Sequence, residues 1–164
     1  MEFIVEKAME NSSQEYDFEN MNQANIKVIG VGGAGNNMVG WLYRKGIKGA
    51  EIIATNTDFQ HLNITGADNK FLIGKDCTRG LGCGGFPNKG AEAAQESLIA
   101  IKESMKGSDM VFVCAGMGGG TGTGAAPVVA QVAKDIGSIV IGTVTMPFNI
   151  ERARCDKAEF GLQQ

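Results

Sequence analysis

The chain has 164 residues, enough for one core of ordinary domain size, and its 43% hydrophobic and 20% charged content is that of a globular protein. A formal net charge of −3 supplies no general basic field, which argues against a nucleic-acid partner. No apolar run reaches the ~18–20 residues of a membrane span. The start of the chain carries Glu2 and Glu6 and lacks the basic flank and apolar stretch of a signal peptide. Cys77, Cys83, Cys114 and Cys155 form neither a CxxC pair nor a disulfide framework, which suits a reducing, cytoplasmic setting. The sequons at Asn11 and Asn63 are then chance matches. Glycine is the outlier, at 24 residues, roughly twice the usual share of about 7%.

In chain order, residues 1–25 are acidic and polar, with too little apolar content for a core, and read as a mobile arm or docking extension. Deleting residues 1–22 should therefore leave the thermal midpoint nearly unchanged. A drop of about ten degrees or more would mean that the arm packs on the rest of the chain. Residues 26–164 read as one domain. Ile26–Val31 is a short β-branched run ending in glycines. A helix is expected from Asn36, with Met38, Val39, Trp41 and Leu42 as its apolar stripe and Gly46 as its stop. Glu51–Thr55 and Lys70–Ile73 read as strands. A helix capped by Asn88 follows, with Ala91, Ala94, Leu98, Ile101 and Met105 at helical spacing. Met110–Cys114 is a strand, Thr123 or Gly124 opens a helix that Gly137 closes, and Ile139–Val144 is the last strand. Nothing is predicted to cover that strand, so apolar surface and self-association are expected there.

Strands that are apolar throughout and alternate with helices imply an α/β fold, a Rossmann-like parallel sheet with helices on both faces. Ligands of such sheets bind beyond the carboxyl ends of the strands, where both richest glycine loops fall. The first, Gly30-Val31-Gly32-Gly33-Ala34-Gly35, matches GxGxxG between a strand and a helix, where small residues let backbone amides approach a phosphate. Taken alone it fits an NAD enzyme as well as a nucleotide triphosphatase, and Asp58 could be the ribose-binding acid of the former. The second loop, Ala115–Gly124, decides between them. A dinucleotide has one pyrophosphate and needs one cradle, whereas a triphosphate can use two. Thr121 and Thr123 add hydroxyl donors. No GxxxxGK[ST] occurs, so the phosphates must be met by amides, helix ends and Mg²⁺ without a Walker lysine.

The run AGMGGGTGTGAAP at 115–127 resembles the signature of the tubulin/FtsZ superfamily. IKVIGVGGAGNN at 26–37, ATNTD at 54–58, TRGLG at 78–82 and TMPF at 145–148 are similar to its bacterial and archaeal FtsZ branch. The motifs recur in the family's order across about residues 26–160. The resemblance implies the nucleotide-binding domain of a polymerising cell-division GTPase, truncated here, with GTP or GDP and Mg²⁺ as ligands. It implies head-to-tail self-association, cell-division proteins and membrane tethers as indirect partners, no nucleic acid and no direct membrane insertion, and a cytoplasmic place at the division site.

Residue by residue, the resemblance puts Gly32, Gly33, Ala34, Gly35, Asn36 and Asn37 at the α- and β-phosphates, and Gly118, Gly119, Gly120, Thr121, Gly122 and Thr123 along the rest of the phosphate chain. Gly84 and Gly85 would sense the γ-phosphate, Glu151 would contact the ribose, and Arg154 would lie near the nucleotide. Two positions depart from the pattern. Phe86 stands before Pro87 where the family has asparagine. The family's arginine commonly falls four residues after Glu151, at Cys155 here, so Arg154 fits only with one residue missing. The family continues past Gln164 with a helix that contacts guanine and an acidic loop that acts on the neighbouring subunit's nucleotide. No catalytic or metal-ligating residue is therefore assigned in this chain, which alone is expected to be inactive. His61 reads as a surface residue, Trp41 and Tyr43 as packing residues, and Cys77 and Cys83 as free of zinc.

Overall fold

The computed structural model describes residues 24–164, so the arm expected over residues 1–25 lies almost wholly outside the described residues. Five strands form one parallel sheet: β1 (Ile26–Val31), β2 (Ala50–Asn56), β3 (Asn69–Leu72), β4 (Met110–Gly116) and β5 (Ile139–Thr145), in the order β3-β2-β1-β4-β5. The helices are α1 (Gly32–Lys45), α2 (Phe59–Ile64), α3 (Lys75–Thr78), α4 (Pro87–Glu96), α5 (Leu98–Ser104), α6 (Thr121–Asp135) and α7 (Ala153–Leu162), with a 3₁₀ turn at Asn149–Glu151.

Alternate strand side chains feed two cores. Val28, Ile52, Ala54 and Cys114 pack with Val39 of α1 and Leu62 of α2 on one face. Ile29, Val31, Ile53, Val111 and Val113 pack with Ala93, Ala94, Ile101, Ala125 and Val129 from α4, α5 and α6 on the other. Both faces of the central strands are therefore covered, which is why their apolar residues run consecutively instead of alternating with polar ones, apart from the Lys27–Glu51 pair near the strand starts. The edge strand β5 differs: Ile139, Ile141 and Val144 are exposed, as expected from the sequence.

Several boundaries move. Helix α1 begins at Gly32, four residues before Asn36, and α6 begins at Thr121 rather than Thr123 or Gly124. Glycines have poor helix propensity, and only packing against the strand ends holds these first turns. A Cβ on Gly30 would lie 2.7 Å from the Gly35 carbonyl oxygen, and one on Gly35 would collide with the Cys114 carbonyl. Gly46, with φ 67°, ends α1 as expected. Asn88 is not a cap: α4 starts at Pro87 after Phe86, whose side chain makes no capping bond. The expected continuous helix breaks at Ser97, where Ser97 Oγ accepts a hydrogen bond from the Gly74 N–H at 3.0 Å.

Trp41 and Tyr43 are 53% and 44% exposed, so each packs only in part: the Tyr43 ring lies against Gly66, while Trp41 is outside the core. The Lys45 ammonium instead sits 5.2 Å from the centre of the Trp41 ring. His61 is half-buried beside Asn56 rather than fully at the surface. After β5 the chain forms α7, a helix that the sequence pattern does not announce, and Gly161 of α7 packs against Thr123 of α6. Among the described residues, no helix is long and apolar enough to cross a membrane.

Candidate functional site

The strand order reverses between β1 and β4, so the loop after β1 leads to one face of the sheet and the loop after β4 to the other. A crevice opens at such a switch point, beyond the carboxyl ends of the strands. A cavity of about 350 Å³ occupies it, lined by Gly33 and Ala34 from the first loop, by Gly116 to Gly122 from the second, and by Thr145 to Pro147, Glu151 and Arg154.

Two helices start at this cavity. Neither α1 nor α6 has a side-chain cap or an acidic residue in its first turn. Their first amides are therefore left for an anion, and both positive dipole ends point to one place. The loops are pressed together: a Cβ on Gly32 would come within 2.8 Å of the Gly122 nitrogen, and one on Gly122 within 2.5 Å of the Gly116 oxygen. The Gly118 N–H donates to Thr123 Oγ1 at 2.9 Å, which commits the Thr123 hydroxyl to shaping the loop. Thr121 Oγ1 lies 2.7 Å from Thr57 Oγ1 and 3.5 Å from Cys83 Sγ, tying the end of β2 to the start of α6.

The sixteen positions singled out in sequence divide by this geometry. Gly33, Ala34, Gly118, Gly119, Gly120, Thr121, Gly122, Glu151 and Arg154 line the cavity. Gly32 and Gly35 are buried under it as packing contacts. Asn36 is fully buried; with its amide nitrogen facing the strands, it donates to the carbonyl oxygens of Gly30 at 3.0 Å and Thr55 at 3.2 Å. Asn37 faces a separate apolar groove with Met38, Trp41 and Thr143. Thr123 is buried. Gly84 and Gly85 sit in the neighbouring loop, which packs on Gly120 without lining the cavity.

Glu151 and Arg154 form a pair: Arg154 Nη1 donates to Glu151 Oε2 at 3.0 Å, and the Phe148 N–H donates to Glu151 Oε1 at 3.1 Å. Arg154 stands in the cavity wall, while the Cys155 thiol turns to the Phe148 carbonyl, 3.4 Å away. Asp58 caps α2 by accepting the His61 N–H at 3.0 Å, which occupies the residue that could have been a ribose acid.

Thr145, Met146 and Pro147 also line the cavity, although in the sequence they stand out only as part of a family signature. Their place directly after a parallel strand is the signal that could have found them. Among the described residues, no group of three or more His, Cys, Asp or Glu side chains could hold a metal ion.

Chemically, the arrangement offers clustered amides, two helix ends, a hydroxyl-bearing loop and one ion pair. It is suited to a polyphosphate. Among the residues that line the cavity, Glu151 is the one carboxylate, and it is already paired with Arg154.

The pattern of the Tubulin/FtsZ family, GTPase domain, matches residues 25–164. The chain is 52% identical over 162 residues to cell division protein FtsZ 2 of Methanocaldococcus jannaschii, covering 99% of this chain and 43% of that protein. It is 57% identical over 140 residues to cell division protein FtsZ 1 of Archaeoglobus fulgidus, covering 85% of this chain and 38% of the other. Among solved structures, an empty FtsZ dimer from M. jannaschii superposes with a TM-score of 0.87 at 49% identity, over 93% of this chain and 45% of that one. The GDP-bound monomer of CetZ1 from Haloferax volcanii gives a TM-score of 0.77 at 29% identity, over 85% and 47% of the two chains. The chain thus spans under half the length of these relatives. In fold, motif and cavity alike, it belongs to the tubulin/FtsZ family.

Proposed function

We propose that this chain is the guanine-nucleotide-binding part of a polymerising cell-division GTPase, and that GTP lies in the cavity at the switch point. The observation that carries the reading is the convergence of two uncapped helix N-termini, each behind a glycine loop, on one cavity. One such terminus suffices for a pyrophosphate; two suit a triphosphate. The amides of Gly33, Ala34 and Gly119 to Gly122 hold the phosphates, Glu151 and Arg154 form the sugar side of the site, and Gly84 and Gly85 meet the terminal phosphate.

Mg²⁺ would come with the nucleotide. The lack of a three-ligand cluster among the described residues fits a cation carried mainly by phosphate oxygens and water. No side chain of this chain is assigned as its ligand, and its charge would neutralise the phosphates. The chain's own residues position the polyphosphate and cover it. Hydrolysis belongs to the full-length protein, assembled head to tail in filaments, where a neighbouring subunit completes the site. The protein works in the cytoplasm at the division site, with cell-division proteins and membrane tethers as indirect partners, without binding nucleic acid or inserting into the membrane.

Calorimetry on the full-length protein should show binding of both GTP and GDP and none of NAD. Tight NAD binding without a GTP signal would overturn the reading in favour of an oxidoreductase.

A further inference from the structure

The segment Cys83–Phe86 forms a tight turn closed by the Phe86 N–H donating to the Cys83 carbonyl at 3.1 Å. Both central residues have positive φ, 58° at Gly84 and 79° at Gly85, the primed-turn pattern that glycine alone adopts freely. The turn lies directly against the second phosphate loop: a Cβ on Gly120 would be 2.8 Å from Cys83 Cβ and 2.9 Å from the Phe86 nitrogen. A shift of the turn therefore shifts the cavity wall at Gly120.

Lys157 reaches this turn from α7. Its ammonium donates to the Gly85 carbonyl at 2.8 Å and stands 5.9 Å from the centre of the Phe86 ring. Asp156 and Glu159 are close in sequence, yet among the described residues Lys157 makes no ion pair and directs its hydrogen bond to a loop carbonyl. The Gly85–Phe86 peptide is thus held at both ends, its carbonyl by Lys157 and its N–H by Cys83. Among the described residues, the N–H groups of Gly84 and Gly85 have no protein partner. The same helix α7 follows directly on Glu151 and carries Arg154, which line the other side of the cavity.

We infer that Lys157 is a positioning residue for contact with the terminal phosphate. By fixing the Gly85–Phe86 peptide it keeps the two free amides of the turn available to that phosphate, and it couples the turn to α7. The inference rests on the proposed nucleotide site. It assigns to Lys157 the discrimination between nucleoside triphosphate and diphosphate, and not general affinity. Phe86, which replaces the asparagine expected from the family, supplies the ring against which the lysine rests.

The test uses the full-length protein with Lys157→Met, which keeps the apolar stem, and Lys157→Arg, which keeps a donor. Calorimetric titration with a slowly hydrolysed GTP analogue and with GDP reads the two affinities separately. The methionine variant should bind the triphosphate about tenfold more weakly, the scale of a hydrogen bond from a charged donor, with GDP affinity and thermal midpoint unchanged. The arginine variant should recover most of the loss. Equal weakening of both nucleotides, or no change in either, would overturn the positioning role. A wild-type protein that binds neither nucleotide would overturn the reading of the cavity itself, a result distinct from a failure of the variant.

Discussion

Replacing Gly119 with valine should abolish nucleotide binding by the full-length protein while leaving its thermal midpoint within about a degree or two. Nothing lies within 4 Å of a Cβ built on Gly119, and its φ is not positive, so the chain accepts the side chain without strain. The space that valine enters is the cavity itself. Gly35→Ala should show the opposite. Its Cβ collides with the Cys114 carbonyl and crowds the Gly30 backbone, so α1 must lift off the strand ends. Overpacking of this kind costs about 1–3 kcal/mol and more when the obstacle is backbone. Gly122→Val combines both faults, because its Cβ meets the Gly116 oxygen at 2.5 Å; loss of binding there would not separate a blocked cradle from a distorted one. Nucleotide titration and thermal unfolding on the same samples distinguish the three. A Gly119→Val protein that binds GTP normally would show that the phosphates do not lie along this loop.

The parallel sheet was legible because burial on both faces leaves a direct mark, runs such as Val111, Phe112 and Val113 with no polar alternation. The position of the site was legible for a similar reason, since glycine is dense only where backbone must come close to something. What that something is could not be read. In one loop Gly119 faces open space while Gly122 faces the Gly116 carbonyl, and the letters are identical. The resemblance placed Asn36 and Asn37 together at the phosphates, but neighbours on a helix point about 100° apart. Asn36 turns inward to the strands and Asn37 outward to an apolar groove. Helix starts were misplaced because propensity opposes glycine, and tertiary contact supplied the compensation that sequence does not display. The break at Ser97 depends on Gly74, 23 positions earlier in the chain, a partner that periodicity cannot reveal. Trp41 misled in the other direction. A large aromatic on a helix stripe suggests core, yet this one lies on the side facing the edge strand and stays half exposed.

Asn36→Asp should be among the most damaging single substitutions in the domain, although the two side chains differ by one atom and one charge. Asn36 is fully buried, and its amide N–H groups serve two strand-end carbonyls, those of Gly30 and Thr55. One oxygen of a carboxylate there would face both carbonyl oxygens, where the amide had placed its donors. An uncompensated buried charge costs about 3–5 kcal/mol, enough to consume a large part of a domain's stability. Asn36→Ala removes the donors without adding charge and should cost less, about 1–3 kcal/mol for the orphaned carbonyls. The two variants separate in their pH dependence. Burial and the facing carbonyls raise the folded-state pKa of the introduced acid above its unfolded value of about 4. Below that unfolded value both states are protonated, the neutral acid can donate to one carbonyl, and the penalty is small. As pH rises past it, the unfolded chain ionises first, and stability falls until the folded pKa is passed. Thermal midpoints of wild-type, alanine and aspartate proteins, measured from about pH 5 to pH 8, should therefore show the aspartate variant losing ground steadily against both others as pH rises. A constant gap across that range would mean that the side chain at position 36 reaches water or the nucleotide, as the family resemblance first suggested, and does not face the strand ends.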